Sequence, residues 1–334
     1  MTQKKFVIVT GGAGFIGSHL VDALIEKGES VRVIDNLTGG RLENLERHKN
    51  QKNFELIDSD IVTIDLKSGV FKNVSKVFHL AGIGDIVPSI ERPLDYFRTN
   101  VLGTVNIIEA SRLNCIESFV YAASSSCYGI AKTPTDEFHE IVPQYPYALS
   151  KFMGEQSVFH WSKIYGIKAN SICIFNAYGP RVKTTGAYGA VFGVFLKQKL
   201  ASKPLTIVGD GHQQRDFVYV TDVADSFIRA SNCNLSGQRF NIGSGNPKKI
   251  IDLANLIGGE MEFIPSRPGE PEITQANINK SKELLGWAPH TSFESGVAEM
   301  LKNIQAWKDA PLWTSESIAD ATKVWFKYLG SNEI

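Results

Sequence analysis

Short apolar runs punctuate the first half of the chain: Phe6–Thr10, Val31–Ile34, Phe54–Ile57, Val77–Leu80, Ser118–Tyr121 and Ala169–Phe175. Between them, Gly17–Lys27, Asn100–Arg112 and Tyr147–Tyr165 repeat apolar residues at intervals of three and four. Near-continuous apolar runs are strands buried on both faces, and helices between such strands cover those faces. The pattern therefore predicts an α/β chain with a doubly wound parallel sheet.

After Gly179-Pro180 the texture changes, with more proline and glycine and fewer regular alternations. Pro204–Val208 and Arg239–Ile242 read as strands, and Ile251–Ile257 as a helix. The expected division is residues 1–180 as the first lobe and 181–334 mainly as a smaller, interleaved C-terminal α/β lobe. No Gly- or Ser-rich linker separates them, so the two should pack together. An amphipathic tail, Ile318–Leu329 with Trp325, Phe326 and Tyr328, is expected to end the chain as a helix capping the core.

A length of 334 residues suits two lobes with a large buried core. Equal numbers of basic and acidic residues, 35 of each, and the lack of a basic stripe argue against a nucleic-acid partner. Cys115, Cys127, Cys173 and Cys233 are widely spaced and form no C-x-x-C, which indicates neither a metal site nor a redox pair. They read as reduced thiols. Met1–Lys5 is polar and leads straight into a strand, and no apolar run approaches a membrane span. A soluble, cytoplasmic protein is expected.

Thr10-Gly-Gly-Ala-Gly-Phe-Ile-Gly17 follows a strand and opens a helix, the setting that makes a glycine pattern specific for a dinucleotide. Gly11 permits the tight turn, Gly14 lets the backbone approach a pyrophosphate, and Gly17 lets the helix lie on the sheet. The amides at the helix start, at Phe15 and Ile16, face the phosphates. Asp35, 18 residues after Gly17 at the end of the second strand, is placed to accept from a ribose 2′-hydroxyl and to repel a 2′-phosphate, favouring NAD. Asp60-Ile61 follows the third strand and offers a carboxylate and an apolar side chain to the adenine. His79, inside a buried strand, reads as a satisfied core residue.

Tyr147-Ala-Leu-Ser-Lys151 puts a phenol and an ammonium on one helical face. A nearby cation favours a phenolate, so Tyr147 is a candidate base for a substrate hydroxyl, with Lys151 supplying the charge and reaching the cofactor ribose. The fifth strand ends in Ala123-Ser-Ser-Ser126, where Ser124 can bond the same substrate oxygen as Tyr147.

From Lys5 to about Pro289 the chain resembles the extended short-chain dehydrogenases, and within them the nucleotide-sugar epimerases. The likeness rests on Thr10 to Gly17, Asp35-Asn36-Leu37, His79-Leu80-Ala81, Asn100 to Thr104, Ser124 to Gly129, Tyr147 to Lys151, Phe175 to Arg181, Gly209 to Gly211, Arg215 to Val220 and Arg267-Pro-Gly-Glu270. It implies a Rossmann-type fold, NAD as cofactor, and a homodimer formed through the helices Asn100–Arg112 and Tyr147–Tyr165. By position it implies that Ser124, Tyr147 and Lys151 form the catalytic triad and that Asn36, Leu80, Ala81 and Asn100 adjoin the cofactor or hold the catalytic helix. It further places Ser125, Asn176 and Glu270 at the substrate, with Arg215 and Arg267 gripping its diphosphate. Guanidinium forks bind phosphate oxygens bidentately, in agreement with the last assignment.

Within that family, 4,6-dehydratases carry Asp-Glu where this chain has Ser125-Ser126, and decarboxylases carry a glutamate that Ser126 does not supply. The resemblance then implies oxidation at carbon 4 of a nucleotide-diphosphate sugar and return of the hydride to the opposite face, with NAD retained. A dehydrogenase or keto reductase acting on a GDP- or CDP-sugar is the alternative enzyme, and an NAD-binding protein without activity the alternative of another class. Tyr145 stands where a small hydroxyl residue is usual. The stretch Tyr188–Phe192 lacks an asparagine that resembles a base contact. Thr274 replaces a bulky tyrosine that closes the sugar pocket, which leaves room for an N-acetylhexosamine, a uronic acid or a heptose, so the resemblance implies a UDP-hexose, UDP-N-acetylhexosamine or UDP-uronic acid as substrate.

Overall fold

A computed structural model describes residues 5–182 and 191–330. In chain order its first half comprises β1 (Phe6–Thr10), α1 (Phe15–Glu26), β2 (Ser30–Asp35), β3 (Phe54–Asp58), β4 (Val74–His79), α2 (Ile86–Glu91), α3 (Pro93–Phe97), α4 (Thr104–Leu113), β5 (Ser118–Ser124), α5 (Pro146–Tyr165) and β6 (Lys168–Ile174). The second half comprises β7 (Asn176–Tyr178), α6 (Val191–Leu200), β8 (Leu205–Val208), β9 (Gln214–Arg215), β10 (Phe217–Tyr219), α7 (Val220–Asn232), β11 (Gln238–Ile242), β12 (Lys248–Lys249), α8 (Ile250–Ile257), β13 (Met261–Ile264), α9 (Asn279–Leu285), α10 (Phe293–Lys302) and α11 (Ser315–Leu329).

Among the described residues a seven-stranded sheet runs β11-β6-β5-β4-β1-β2-β3, parallel throughout. Every residue of β2 and β5 is buried, as the unbroken apolar runs require. α1 packs beside α7 on one face and α4 beside α5 on the other. The sheet is a Rossmann-like doubly wound one, and its order reverses between β1 and β4. Such a switch point opens a crevice at the carboxyl ends of the strands, and it gathers Gly11, Leu80 and Ser124 at one edge.

The apolar run Arg239–Ile242, read with the second lobe, is the last strand of this large sheet, paired with β6 from Gln238↔Asn170 to Ile242↔Ile174. An apolar run specifies a strand and says nothing of its partner. Beyond the sheet, β7 pairs with β10, β9 with β12 and β8 with β13. A second apolar cluster forms around Phe192, Phe195, Ile207, Leu253, Met300 and Trp307. In it Tyr178 stacks on Phe192, and Phe217 on Phe293.

α11 buries one face against the rest of the protein. It begins with a capping box between Thr314 and Ser317 and buries Ile318, Thr322 and Trp325, spaced four and three apart on one stripe. Neither apolar cluster includes them. The helix packs on α2 instead, and Trp325 Nε1 donates to the carbonyl of Pro268 at 2.7 Å. Its buried stripe thus spans from the sheet half of the molecule to the loop that carries Arg267, while Phe326 and Tyr328 stay exposed.

Candidate active site

The glycine turn is shaped by close approaches. Gly11 has φ 69°, and a Cβ there would sit 2.7 Å from the backbone nitrogen of Ala81. A Cβ on Gly17 would sit 2.1 Å from the Gly11 carbonyl oxygen. Gly14, by contrast, would bring its Cβ near nothing but that same oxygen, at 3.1 Å, so its bare side opens outward. Gly14 is also the N-cap of α1, with no side chain capping the helix and no acid in the first turn. The amides of Phe15, Ile16 and Gly17 therefore lie in a first turn whose N–H groups find no acceptor within the helix, a cradle for an anion.

Asp35 closes the turn from below. Its Oδ2 accepts from Ala13 N and its Oδ1 from Leu37 N, both at 2.9 Å, and burial raises its pKa. Each carboxylate oxygen keeps a second lone pair, which suits a ribose diol and not a phosphate. Arg32, the cation nearest in sequence, points away: its Nε donates to Glu55 at 2.6 Å and its guanidinium lies over Phe6. Asn36 accepts from Thr38 N and shapes the following turn. Leu80 and Ala81 are held by Thr10, whose carbonyl and hydroxyl take their amide protons. These residues fit NAD.

Asp60 Oδ1 accepts from Val62 N at 2.8 Å. Ile61 differs from expectation. Its side chain is buried in the core against Gly103, where it plugs the space over a π-helical turn, Arg98–Gly103. It is therefore packed inward and does not present an apolar surface to an adenine. His79 is fully buried, with Thr10 Oγ1 2.7 Å from Nδ1 and Thr104 Oγ1 2.9 Å from Nε2, and burial pushes its pKa down to about 3. Such a ring stays neutral. Asn100, in the π-helical turn, accepts from Ile83 N and donates to Ile83 O and Ser150 Oγ, tying the end of β4 to α5.

At the start of α5, Tyr147 lies beside Ser124 at the end of β5, whose hydroxyl partly offsets the effect of burial on the phenol. Tyr96 meets its ring edge-on and Tyr145 lies parallel to it. Lys151, one turn on, is buried with its ammonium 4.4 Å from the centre of the Tyr121 ring. Burial pushes the Tyr147 phenol up and draws Lys151 down to about 8. In the cofactor-free chain desolvation thus drives both groups toward their neutral forms.

This sets a sign for stability. Lys151 has a folded pKa below its ordinary 10.5, so the unfolded chain binds the extra proton between those values and stability rises with pH there. Below pH 8 the buried charge exacts its full cost, about 3 kcal/mol. Lys151→Met should therefore stabilise the cofactor-free protein by about that amount at pH 7, with the gain vanishing above pH 10.5, while activity is lost. Urea unfolding at several pH values checks it.

On the substrate side, Arg215 and Arg267 converge on Glu270. Arg267 donates to Glu270 Oε1 at 2.8 Å and Arg215 to Oε2 at 3.4 Å, and Arg215 also reaches the carbonyl of Pro271 at 2.9 Å. The carboxylate fixes the spacing of the two guanidiniums, each with more N–H donors than one carboxylate takes. Thr274 Oγ1 donates to Asn176 Oδ1 at 2.9 Å and accepts from Asp216 N. Its hydroxyl thus orients the Asn176 amide so that the NH2 group faces away from it. Ser125 sits between Ser124 and Ser126 in the turn after β5. Of Tyr188–Phe192, residues 188–190 lie outside the described residues. Among the described residues no cluster of His, Cys, Asp and Glu suits a metal, and no helix is long and apolar enough to cross a membrane.

Residues 7–243 match the model of the NAD-dependent epimerase/dehydratase family. The chain belongs to that family. It is 36% identical over 305 residues to the UDP-glucose 4-epimerase of Mycolicibacterium smegmatis, a match covering 88% of this chain and 97% of that one. Its fold is similar to that of the UDP-N-acetylglucosamine 4-epimerase from Methanobrevibacter ruminantium M1 in complex with UDP-N-acetylmuramic acid, with TM-score 0.86, 30% identity and coverage of 91% and 99%. It is likewise similar to the UDP-glucuronic acid 4-epimerase from Bacillus cereus in complex with UDP-glucuronic acid and NAD, with TM-score 0.84, 31% identity and coverage of 90% and 99%.

For a member of this epimerase/dehydratase family, two features of the site are not foreshadowed by its motifs. Asp216, fully buried, accepts from Ser244 N and Oγ, Gly245 N and Ala276 N, and so ties together the loops around Arg215 and Thr274. The Arg215-Asp216 pair hints at it, but an acid beside an arginine reads first as its salt-bridge partner. The contact of Trp325 with Tyr145 is the second, invisible because 180 residues separate them.

Proposed function

We propose that the protein is an NAD-dependent epimerase acting at carbon 4 of a UDP-sugar. The observation that carries this is the placing of Ser124 beside Tyr147 at the switch-point edge of the sheet, together with the glycine turn and the Arg215–Glu270–Arg267 cluster. NAD, when bound, supplies the hydride acceptor and donor together with a positive charge. Gly11 to Gly17 and Asp35 hold its pyrophosphate and ribose, and Lys151 reaches the second ribose.

Tyr147 takes the proton of the 4-hydroxyl as base and returns it as acid, while Ser124 bonds the same oxygen. Arg215 and Arg267 keep the diphosphate anchored as the 4-keto sugar turns over. Ser125 and Ser126 have no acid to move a proton at carbons 5 and 6, which disfavours a dehydratase. Relatives are named UDP-glucose 4-epimerase and UDP-glucuronic acid decarboxylase, and similar structures are those of 4-epimerases of UDP-N-acetylglucosamine and UDP-glucuronic acid, so a UDP-sugar is favoured over GDP- or CDP-sugars.

The purified protein should contain NAD and interconvert axial and equatorial 4-hydroxyls of a UDP-sugar without consuming cofactor, followed by NMR. Stoichiometric NADH release would instead mark a dehydrogenase. Arg215→Ala should raise KM ten- to a hundredfold, as expected for a lost charge-assisted pair, with kcat changed far less. Steady-state kinetics on the UDP-sugar checks this.

The pairing of α4 with α5 leaves Leu102, Leu113, Leu149, Met153, Ile164 and Tyr165 exposed, which supports a homodimer through that face. Four free thiols and the lack of a membrane-crossing helix among the described residues support a cytoplasmic setting.

A further inference from the structure

Tyr145 occupies the N-cap of α5 and caps nothing. That position leaves amides that Ser, Thr, Asn or Asp would satisfy. A residue that breaks such a local rule is expected where function overrides stability. Its ring lies parallel to that of Tyr147, with centroids 6.4 Å apart and planes 7° apart. Its hydroxyl meets Ser126, and its phenol feels the charges of Arg215 and Glu270. Trp325 packs against it with ring centroids 5.9 Å apart.

Trp325 is itself fixed. It is 3% exposed, and its Nε1 is bonded to Pro268 in the loop between Arg267 and Glu270. The series Tyr147, Tyr145, Trp325 therefore leads from the phenol that meets the 4-hydroxyl to the loop that grips the diphosphate. A hexose held at both ends must lie along it. Tyrosine offers a flat apolar face with a polar tip, the surface that a pyranose ring, apolar on its C–H face and polar at its rim, can use, and the buried Trp325 fixes where that face lies.

We infer that Tyr145 is a specificity-determining residue: backed by the buried Trp325, it walls the hexose subsite and sets which sugar of a UDP-sugar is accepted. The inference rests on the epimerase reading above. It assigns α11 a part in substrate choice, since that helix brings Trp325 to the site.

The test compares wild type and Tyr145→Ser on UDP-glucose, UDP-N-acetylglucosamine and UDP-glucuronic acid. Opening the wall should change the ratio of kcat/KM between at least one pair of sugars by about tenfold or more, the scale on which pocket shape discriminates. Affinity for UDP alone should stay within about twofold, because the arginine pair is untouched. Equal losses on all three sugars, with UDP affinity falling in step, would overturn the inference and leave Tyr145 a structural residue.

A second measurement needs no disruptive variant. The full chain is labelled with 5-fluorotryptophan, and Trp325→Phe identifies the Trp325 resonance. UDP-sugar should shift that resonance and UDP should not. No shift, or the same shift with both, would overturn the wall whatever the fate of Tyr145→Ser. A wild type that neither binds nor converts any of the sugars defeats the epimerase reading and the wall together. An active wild type with unchanged ratios and an unmoved resonance defeats the wall alone.

Discussion

Tyr147→Phe should retain NAD and lose turnover by at least about a hundredfold, the lower end of what a positioned acid and base contributes. The substitution removes one oxygen and leaves the ring between Tyr96 and Tyr145, so packing is preserved. The glycine turn, Asp35 and Lys151 are untouched, which is why the cofactor should stay. Burial holds the phenol above its ordinary pKa in the cofactor-free chain, so the proton it handles is one that water does not readily replace. Turnover by NMR, together with the NAD content of the same preparation, decides the matter. A variant within tenfold of wild type would remove Tyr147 from the proton transfers.

Gly17→Ala should abolish NAD binding and with it all activity. The added methyl would lie 2.1 Å from the Gly11 carbonyl oxygen and 2.9 Å from Gly12 Cα, both backbone atoms that no rotamer change can move. α1 would have to lift from the sheet, exposing the amides of its first turn to the wrong geometry. Overpacking of this kind typically costs about 1–3 kcal/mol, occasionally more. Gly14→Ala is the informative companion, for its methyl would meet only the Gly11 oxygen at 3.1 Å. That variant should fold with a melting temperature near wild type yet bind NAD weakly, since the methyl fills the side from which a pyrophosphate approaches. Thermal unfolding alongside NAD content separates the two outcomes.

The parts of the site that neighbours in sequence create are legible in the sequence itself. Gly11 to Gly17 and Tyr147 to Lys151 carry their own geometry, because a turn and a helix face are set by local spacing. The strands Phe6–Thr10 and Ala169–Phe175 are readable for the same reason. What escapes is what distant segments make by meeting. Ile61 reads as an apolar side chain offered to an adenine, and nothing near it in sequence shows that Gly103, 42 positions later, provides a hollow that it fills. Glu270 reads as a substrate contact, and its hold on both arginines, one of them 55 positions away, is not readable from spacing. The helices Ile86–Glu91 and Pro93–Phe97 are too short for a period of 3.6 to show. α11 displays the right amphipathic stripe, but a stripe names no partner, and its partners are α2 and Pro268.

The strand β11 has a consequence for how the molecule is made. Until residues 238–242 leave the ribosome, β6 presents a free edge of backbone donors and acceptors, a template for wrong pairing. The 63 residues between β6 and β11 must be synthesised first, including the helix α7 that packs on α1. A fragment ending near residue 180 would hold every part of the cofactor site and still lack the strand that seals its sheet. It should aggregate when expressed alone, for the sheet that carries the cofactor site is encoded by two stretches of sequence.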